Sequence, residues 1–289
     1  MAYVAHFAGA MVACYLLARL LARSTWTWYV PGIAILCFQA VGLALGLSAI
    51  GLPLAAGLSA YDEGVLRALV RLLSDVARGA LPAGIGVGDL ALIGMGIGIA
   101  ATLLGSLGRS LLVALRAQRR HRDLLTLVAR DDPAAPGVLV LDHPCAAAYC
   151  LPGLRPQVVV SAGTLGLLDR AQLAAVLTHE RAHAAERHDL VLLPFTALCR
   201  ALPGARWVGT ARESVALLVE MRADDKARRR HQDAPLAAAL LRFAEAPARL
   251  TPPGALGVAD AHLDARVQRL LVSRRPSRLW GAATQAGAA

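Results

Sequence analysis

Leu177-Thr178-His179-Glu180-Arg181-Ala182-His183 is the stretch from which the rest of the chain is interpreted. Two histidines four residues apart on a helix project from one face, so both imidazoles can reach a single metal ion. The glutamate beside the first histidine is then placed to take a proton from a water molecule that the metal activates. The preceding residues favour a helix, because Asp169 and Gln172 resemble a capping box.

A second stretch, Val219-Glu220-Met221-Arg222-Ala223-Asp224-Asp225, also lies in a helical pattern. Catalytic zinc commonly binds two histidines and one glutamate and leaves its fourth position for water. We therefore predict one Zn²⁺ per chain, with His179, His183 and Glu220 as ligands. Asp224, one turn after Glu220, is predicted to accept the free ring N–H of a ligand histidine. The alternative is that both acids are solvated charges that pair with nearby arginines.

The sequence around both stretches resembles a known group of peptidases. The resemblance rests on AYCLPG at 148–153, PQVVVS at 156–161 and ERHD at 186–189, and covers roughly residues 135–230. Over that range the chain resembles the BlaR/MecR-type antirepressor metallopeptidases and, more distantly, the HtpX/Ste24-like membrane proteases. The resemblance implies a membrane-embedded endopeptidase whose zinc site faces the cytoplasm. Since little sequence follows Trp280, we expect a short form without the extracellular sensor domain.

Composition favours a membrane protein over a nucleic-acid-binding one. Hydrophobic residues make up 56% of the chain, which is high for a soluble enzyme. The net charge of +10 comes with an aromatic content of 4%, and the arginines crowd beside apolar runs. We therefore expect a lipid bilayer as partner and no direct contact with nucleic acid.

Three apolar runs predict transmembrane helices at about 3–22, 29–52 and 90–115. Arginines follow the first and third runs, and the positive-inside rule places those ends in the cytoplasm. Residues 58–87, between the second and third runs, are predicted to lie outside and to contain an amphipathic helix, with a small sensing element as the alternative. Residues 1–116 thus form the expected membrane region of a multi-pass protein of the cell membrane.

Residues 117–275 are predicted to form a cytoplasmic zinc-peptidase domain. The apolar run after residue 190 cannot be a single crossing, because it would separate Glu220 from His179. We therefore predict a membrane-associated hairpin at about 190–207. The tail, 276–289, is rich in alanine and glycine and is expected to be disordered.

Val158, Val159 and Val160 are β-branched and predict a strand just before the zinc helix. One interpretation gives this strand an open edge that binds an extended substrate through its main chain. The other makes it an ordinary strand of the sheet.

The predicted fold is a mainly α membrane protein, with three transmembrane helices and an α+β domain that contains a small sheet. The predicted function is zinc-dependent cleavage of a cytoplasmic protein, with Glu180 as general base and a transcriptional repressor as the candidate substrate. The alternatives are a quality-control protease for membrane proteins and a non-catalytic zinc-binding signalling scaffold. Tyr149 and His231 are candidates for stabilising an oxyanion, whereas His188 is interpreted as structural because it lies off the ligand face. The oligomeric state is left open.

Overall fold

The computed structural model describes residues 2–80, 84–131, 137–153, 156–246, 256–257 and 263–272. These residues form two compact units, and both units are built from separate stretches of chain. The first takes the described residues of 1–25, 33–110 and 194–214, and the second those of 26–32, 111–193 and 215–289. The predicted tail at 276–289 lies outside the described residues.

Within the part of the chain that the structure describes, three helices are long and apolar enough to cross a membrane: α1 (Ala2–Arg23), α2 (Pro31–Gly57) and α4 (Val87–Val128). They correspond to the three predicted transmembrane helices. The last of them continues well past its predicted end at 115, because no glycine or proline interrupts the helix between Gly108 and Val128.

An amphipathic helix, α3 (Val65–Ala77), lies between the second and third apolar helices. Its Ala68 and Leu72 side chains are buried in a cluster with Leu54 of α2, Ile93 of α4 and Leu58, which directly follows α2. The opposite face carries exposed leucine and valine side chains. This helix therefore packs within the first unit through one face.

A helical hairpin is formed by α7 (His188–Ala201) and α8 (Arg206–Arg228). Gly204 in the connection has φ +87°, a left-handed conformation that glycine adopts without a steric penalty. Residues 194–214 of this hairpin belong to the first unit, and Ser106 Oγ of α4 donates to the Ala197 carbonyl oxygen at 2.6 Å. The hairpin tip thus packs with the long apolar helices.

The second unit contains a five-stranded sheet. In chain order its strands are β1 (Ala129–Asp131), β2 (Leu139–Leu141), β3 (Ala148–Leu151), β4 (Gln157–Ser161) and β5 (Leu256–Gly257). Their order in the sheet is β1-β2-β4-β3-β5. The β2–β4 pair is parallel and the other pairs are antiparallel.

The predicted open edge at Val158, Val159 and Val160 is wrong. These residues form β4, which is hydrogen-bonded to β2 on one side and to β3 on the other. Their side chains are buried as well. Since both neighbours occupy the main-chain donors and acceptors, an extended substrate has no free ladder here.

Helices cover the sheet and form the core of the second unit. They are α5 (Ala162–Leu167), α6 (Arg170–Glu186), α9 (Asp233–Glu245) and α10 (Leu263–Val272). Val160 of β4, Val176 of α6 and Leu240 of α9 meet in one buried cluster. This packing fixes α6 against the sheet.

Candidate metal centre

The predicted metal-binding residues lie on two helices. His179, Glu180 and His183 are on α6, while Glu220 and Asp224 are on α8. The four-residue spacing on each helix turns both members of a pair to one face. The structure brings all five side chains together.

The sequence defines where α6 begins. The Asp169 side chain accepts from the Gln172 backbone N–H at 2.8 Å, and the Gln172 side chain accepts from the Asp169 N–H at 3.2 Å. This is a complete capping box, and its stabilisation of the helix start is typically about 1 kcal/mol. The capping box fixes where the helix begins and so helps to set the rotation of its histidines.

The ligand atoms of three residues converge on one point. His179 Nε2 lies 3.0 Å from His183 Nε2, and each of these nitrogens lies 3.5 Å from a carboxylate oxygen of Glu220. Zinc–ligand bonds of about 2.0–2.1 Å in a tetrahedron separate the ligand atoms by about 3.3 Å. The observed separations therefore match a shared ion, and this donor set is that of a catalytic zinc site.

Polar contacts hold both imidazoles with Nε2 directed inward. His179 Nδ1 lies 2.9 Å from Asp224 Oδ1, and this carboxylate favours a proton on the nitrogen. His183 Nδ1 lies 2.8 Å from His188 Nδ1. Because His188 Nε2 lies 3.2 Å from a Glu186 carboxylate oxygen, it carries the proton and leaves Nδ1 to accept from His183. Two bare nitrogens 3.0 Å apart repel each other unless a cation lies between them.

The charges of the cluster also favour a cation between the two imidazoles. Burial lowers the pKa of His179, but hydrogen bonds to Asp224 and Glu220 outweigh this and raise it to about 9. Burial lowers the pKa of His183 to about 3. For Glu220 burial acts upward, yet the charges of His183 and Arg266 bring its pKa down to about 2. The carboxylates thus favour one positive charge between the rings, which a proton or a metal cation can supply.

Glu180 is fully buried beside these groups. Neither of its carboxylate oxygens has a hydrogen-bond partner of good geometry in the described part of the chain. Burial raises its pKa to about 8, although the positive charge of His179 and the Cys150 backbone N–H of β3 oppose the shift. A buried carboxyl group with a strongly shifted pKa is common at functional sites, which makes Glu180 a candidate for a chemical role.

Arg266 of α10 is a member of the site that the sequence pattern does not reveal. Its Nε and Nη2 donate to the two Asp224 oxygens at 2.9 and 2.7 Å, and its Nη1 lies 3.0 Å from Glu220 Oε2. The guanidinium is 1% exposed. It therefore neutralises two buried carboxylates and fixes their orientation toward His179 and His183.

His188 is not one of the three converging residues, and it lies beside them as a hydrogen-bond partner of His183. The helix does not continue through it: α6 ends at Glu186, and Arg187 adopts the left-handed conformation with φ +51°. That turn brings His188 back to His183. Glu186 completes the chain of contacts and is held by Arg222 Nε and Lys226 Nζ, both at 2.9 Å.

The two oxyanion candidates have other partners. Tyr149 is buried, and its hydroxyl lies 2.8 Å from His121 Nε2. Burial raises the pKa of Tyr149 to about 12. His231 Nε2 lies 2.8 Å from the Thr178 hydroxyl. Both contacts favour a structural role for these side chains.

Comparison with known proteins supports the metallopeptidase interpretation. Residues 114–240, a little under half of the chain, match the family model described as Peptidase family M48. The match includes both helices of the metal centre. No curated protein and no solved structure matches the chain. The narrower resemblance to BlaR/MecR-type antirepressors stays a prediction. Over residues 114–240, the chain is thus similar to the metallopeptidases of family M48.

Proposed function

We propose that this protein is a membrane-embedded zinc endopeptidase, in which His179, His183 and Glu220 hold one zinc ion and Glu180 is the general base. One observation carries the proposal. Three ligand atoms within 4.8 Å of one another converge beside a buried carboxylate that is not one of them. A purely structural zinc site is usually closed by four protein ligands, so a three-ligand set with a neighbouring base fits catalysis better.

The residues have distinct tasks in this mechanism. When bound, the zinc ion supplies a Lewis acid that polarises the scissile carbonyl and lowers the pKa of a water molecule. Glu180 takes the proton of the attacking water and delivers it to the leaving amine. Asp224 holds the proton on His179 Nδ1, and His188 does the same for His183, so both Nε2 atoms stay available as ligands. Arg266 keeps Glu220 ionised and in place.

We assign the substrate as a cytoplasmic protein, and its cleavage as regulatory proteolysis of a transcriptional repressor. The support is the resemblance to antirepressor peptidases, together with the arginines at 116–122, which favour a cytoplasmic catalytic domain. The alternative substrate class is a damaged membrane protein. Purified enzyme in liposomes separates them, since only the regulatory role predicts one defined cut in a folded soluble repressor.

Replacing Glu220 with alanine is expected to reduce zinc affinity by roughly 100-fold or more, because one of three protein ligands is lost. Elemental analysis after dialysis against a zinc buffer measures the occupancy. Glu213→Ala is the matched control, since Glu213 is an exposed glutamate of the same helix. If Glu220→Ala retains one zinc per chain, the proposed ligand set is wrong.

The orientation of the chain gives a further test. In a cysteine-free background, an impermeant maleimide applied to intact cells is expected to label Ala80→Cys and to spare Ala171→Cys. Both positions are exposed, and they lie on opposite sides of the membrane in the proposed layout. Permeabilised cells provide the control, in which both must react. Equal labelling of the two positions on intact cells would contradict a cytoplasmic catalytic domain.

A further inference from the structure

The first unit contains an apolar cavity of about 510 Å³, and none of the residues named in the metal centre lines it. Side chains of α1, α2, α4 and the α7–α8 hairpin line it, among them Phe38, Ile99 and Phe195. The volume falls within the range of about 300–1,000 Å³ that is usual for ligand pockets. The cavity is not sealed, because two lining side chains, Val12 and Leu202, are 56% and 42% exposed.

Two glycines of α2 keep the cavity open. A Cβ added at Gly42 would meet no atom within 4 Å, and one added at Gly46 would meet only Leu103 Cδ1 at 3.9 Å. Both residues line the cavity. Most other residues favour a helix more strongly than glycine does. The two glycines therefore lower the stability of α2 but leave space for the cavity.

A basic pocket adjoins the cavity. It is lined by Arg19, Arg23 and Arg206, and it shares the Tyr15 and Trp207 side chains with the apolar cavity. Arg19 Nη1 donates to the Tyr15 hydroxyl at 3.1 Å, while the tyrosine ring packs edge-on against Trp207. Among the described residues, no acidic side chain lines this pocket.

The three arginines have no carboxylate to neutralise them. None of them forms an ion pair within the described ranges, whereas Arg222 and Arg266 of the metal centre pair with carboxylates. Guanidinium groups without a carboxylate partner, beside an apolar cavity, suit an amphiphile with one charged end. A soluble anion could pair with the arginines but would not fill the apolar cavity. An uncharged hydrocarbon could fill the cavity but would not pair with the arginines.

We propose that this double pocket binds one anionic phospholipid, with an acyl chain in the cavity and the phosphate against Arg19, Arg23 and Arg206. The site is separate from the peptidase proposal, since it uses none of the catalytic residues. Attraction of about 1 kcal/mol per arginine near an anionic headgroup gives a preference of roughly 100-fold over a zwitterionic lipid. Lipid that merely surrounds the helices would show neither saturation nor this preference for an anionic headgroup.

Trp207 reports on occupancy because it lines both pockets. We would change Trp26, Trp28 and Trp280 to phenylalanine, reconstitute the protein in nanodiscs and add phospholipids with brominated acyl chains. Brominated phosphatidylglycerol is expected to quench Trp207 at a mole fraction roughly 10- to 100-fold lower than brominated phosphatidylcholine. Equal quenching by the two lipids would overturn the proposal.

Two variants locate the site. Gly42→Leu fills the cavity and is expected to abolish the saturable quenching, whereas Gly105→Leu, at an exposed glycine of α4 with open space around it, is expected to leave it unchanged. Replacing the three arginines with glutamine is expected to remove the difference between the lipids. Unchanged quenching in folded Gly42→Leu, with folding checked by circular dichroism, would overturn the proposal. If a variant does not fold, the quenching of Trp207 in the parent protein by the two lipids still tests the proposal.

Discussion

Glu180→Gln is expected to reduce peptide-bond cleavage by about 10²–10⁴-fold while the protein keeps its zinc. Glutamine has nearly the same shape but cannot accept the proton of the attacking water. The carboxylate is buried and is not one of the three converging ligands, so the change should leave the packing and the metal site intact. Cleavage of labelled casein in detergent measures the first effect and elemental analysis the second.

The matched control for this experiment is Glu213→Gln, which removes an exposed carboxylate on α8. It is expected to cleave at the parental rate. Cleavage by Glu180→Gln within about 3-fold of the parent would remove the general-base role, since that role is worth at least 10²-fold. Loss of zinc from Glu180→Gln would show instead that this glutamate is a ligand.

Arg266→Leu is expected to destabilise the peptidase domain by about 3–5 kcal/mol. The change leaves the buried Asp224 and the largely buried Glu220 without the guanidinium that lies 2.7–3.0 Å from their oxygens. The same contacts lower the pKa of both carboxyls, as charge pairing in a buried site does. For a domain of this size we expect the melting temperature in detergent to fall by roughly 6–20 °C.

Arg181→Leu serves as the control, because Arg181 is an exposed arginine of α6. Its effect on the free energy of unfolding should stay within about 0.5 kcal/mol. Differential scanning fluorimetry of the metal-free proteins compares the two variants without any contribution from zinc. A melting temperature for Arg266→Leu equal to that of the control would show that the buried carboxylates need no neutralising cation.

Features that depend on local spacing could be predicted from the sequence. The His179–His183 pair and the Glu220–Asp224 pair each lie one helical turn apart, so helical geometry alone puts each pair on one face. The capping box at Asp169 is local for the same reason. Length and composition likewise sufficed for the three long apolar helices.

Features that depend on which elements become neighbours could not be predicted from the sequence. The residues Val158–Val160 favour a strand, but whether that strand lies at an edge depends on which other strands pair with it, here β2 and β3. The contact of His188 with His183 likewise depends on the left-handed conformation of Arg187, which ends α6 and turns the chain back. The sequence around the strand does not indicate its position in the sheet, and the sequence around His188 does not indicate the turn at Arg187.

The sequence by itself determined the donor set, since periodicity of a helix places its own side chains and needs no partner. The tertiary structure decided how that set is held. Arg266 lies 42 positions after Asp224 and reaches it only because α10 packs beside α8. Burial of a charge is a property of the whole fold, so the residues that neutralise and orient the metal ligands are fixed by long-range packing, whereas the ligands themselves are fixed by spacing.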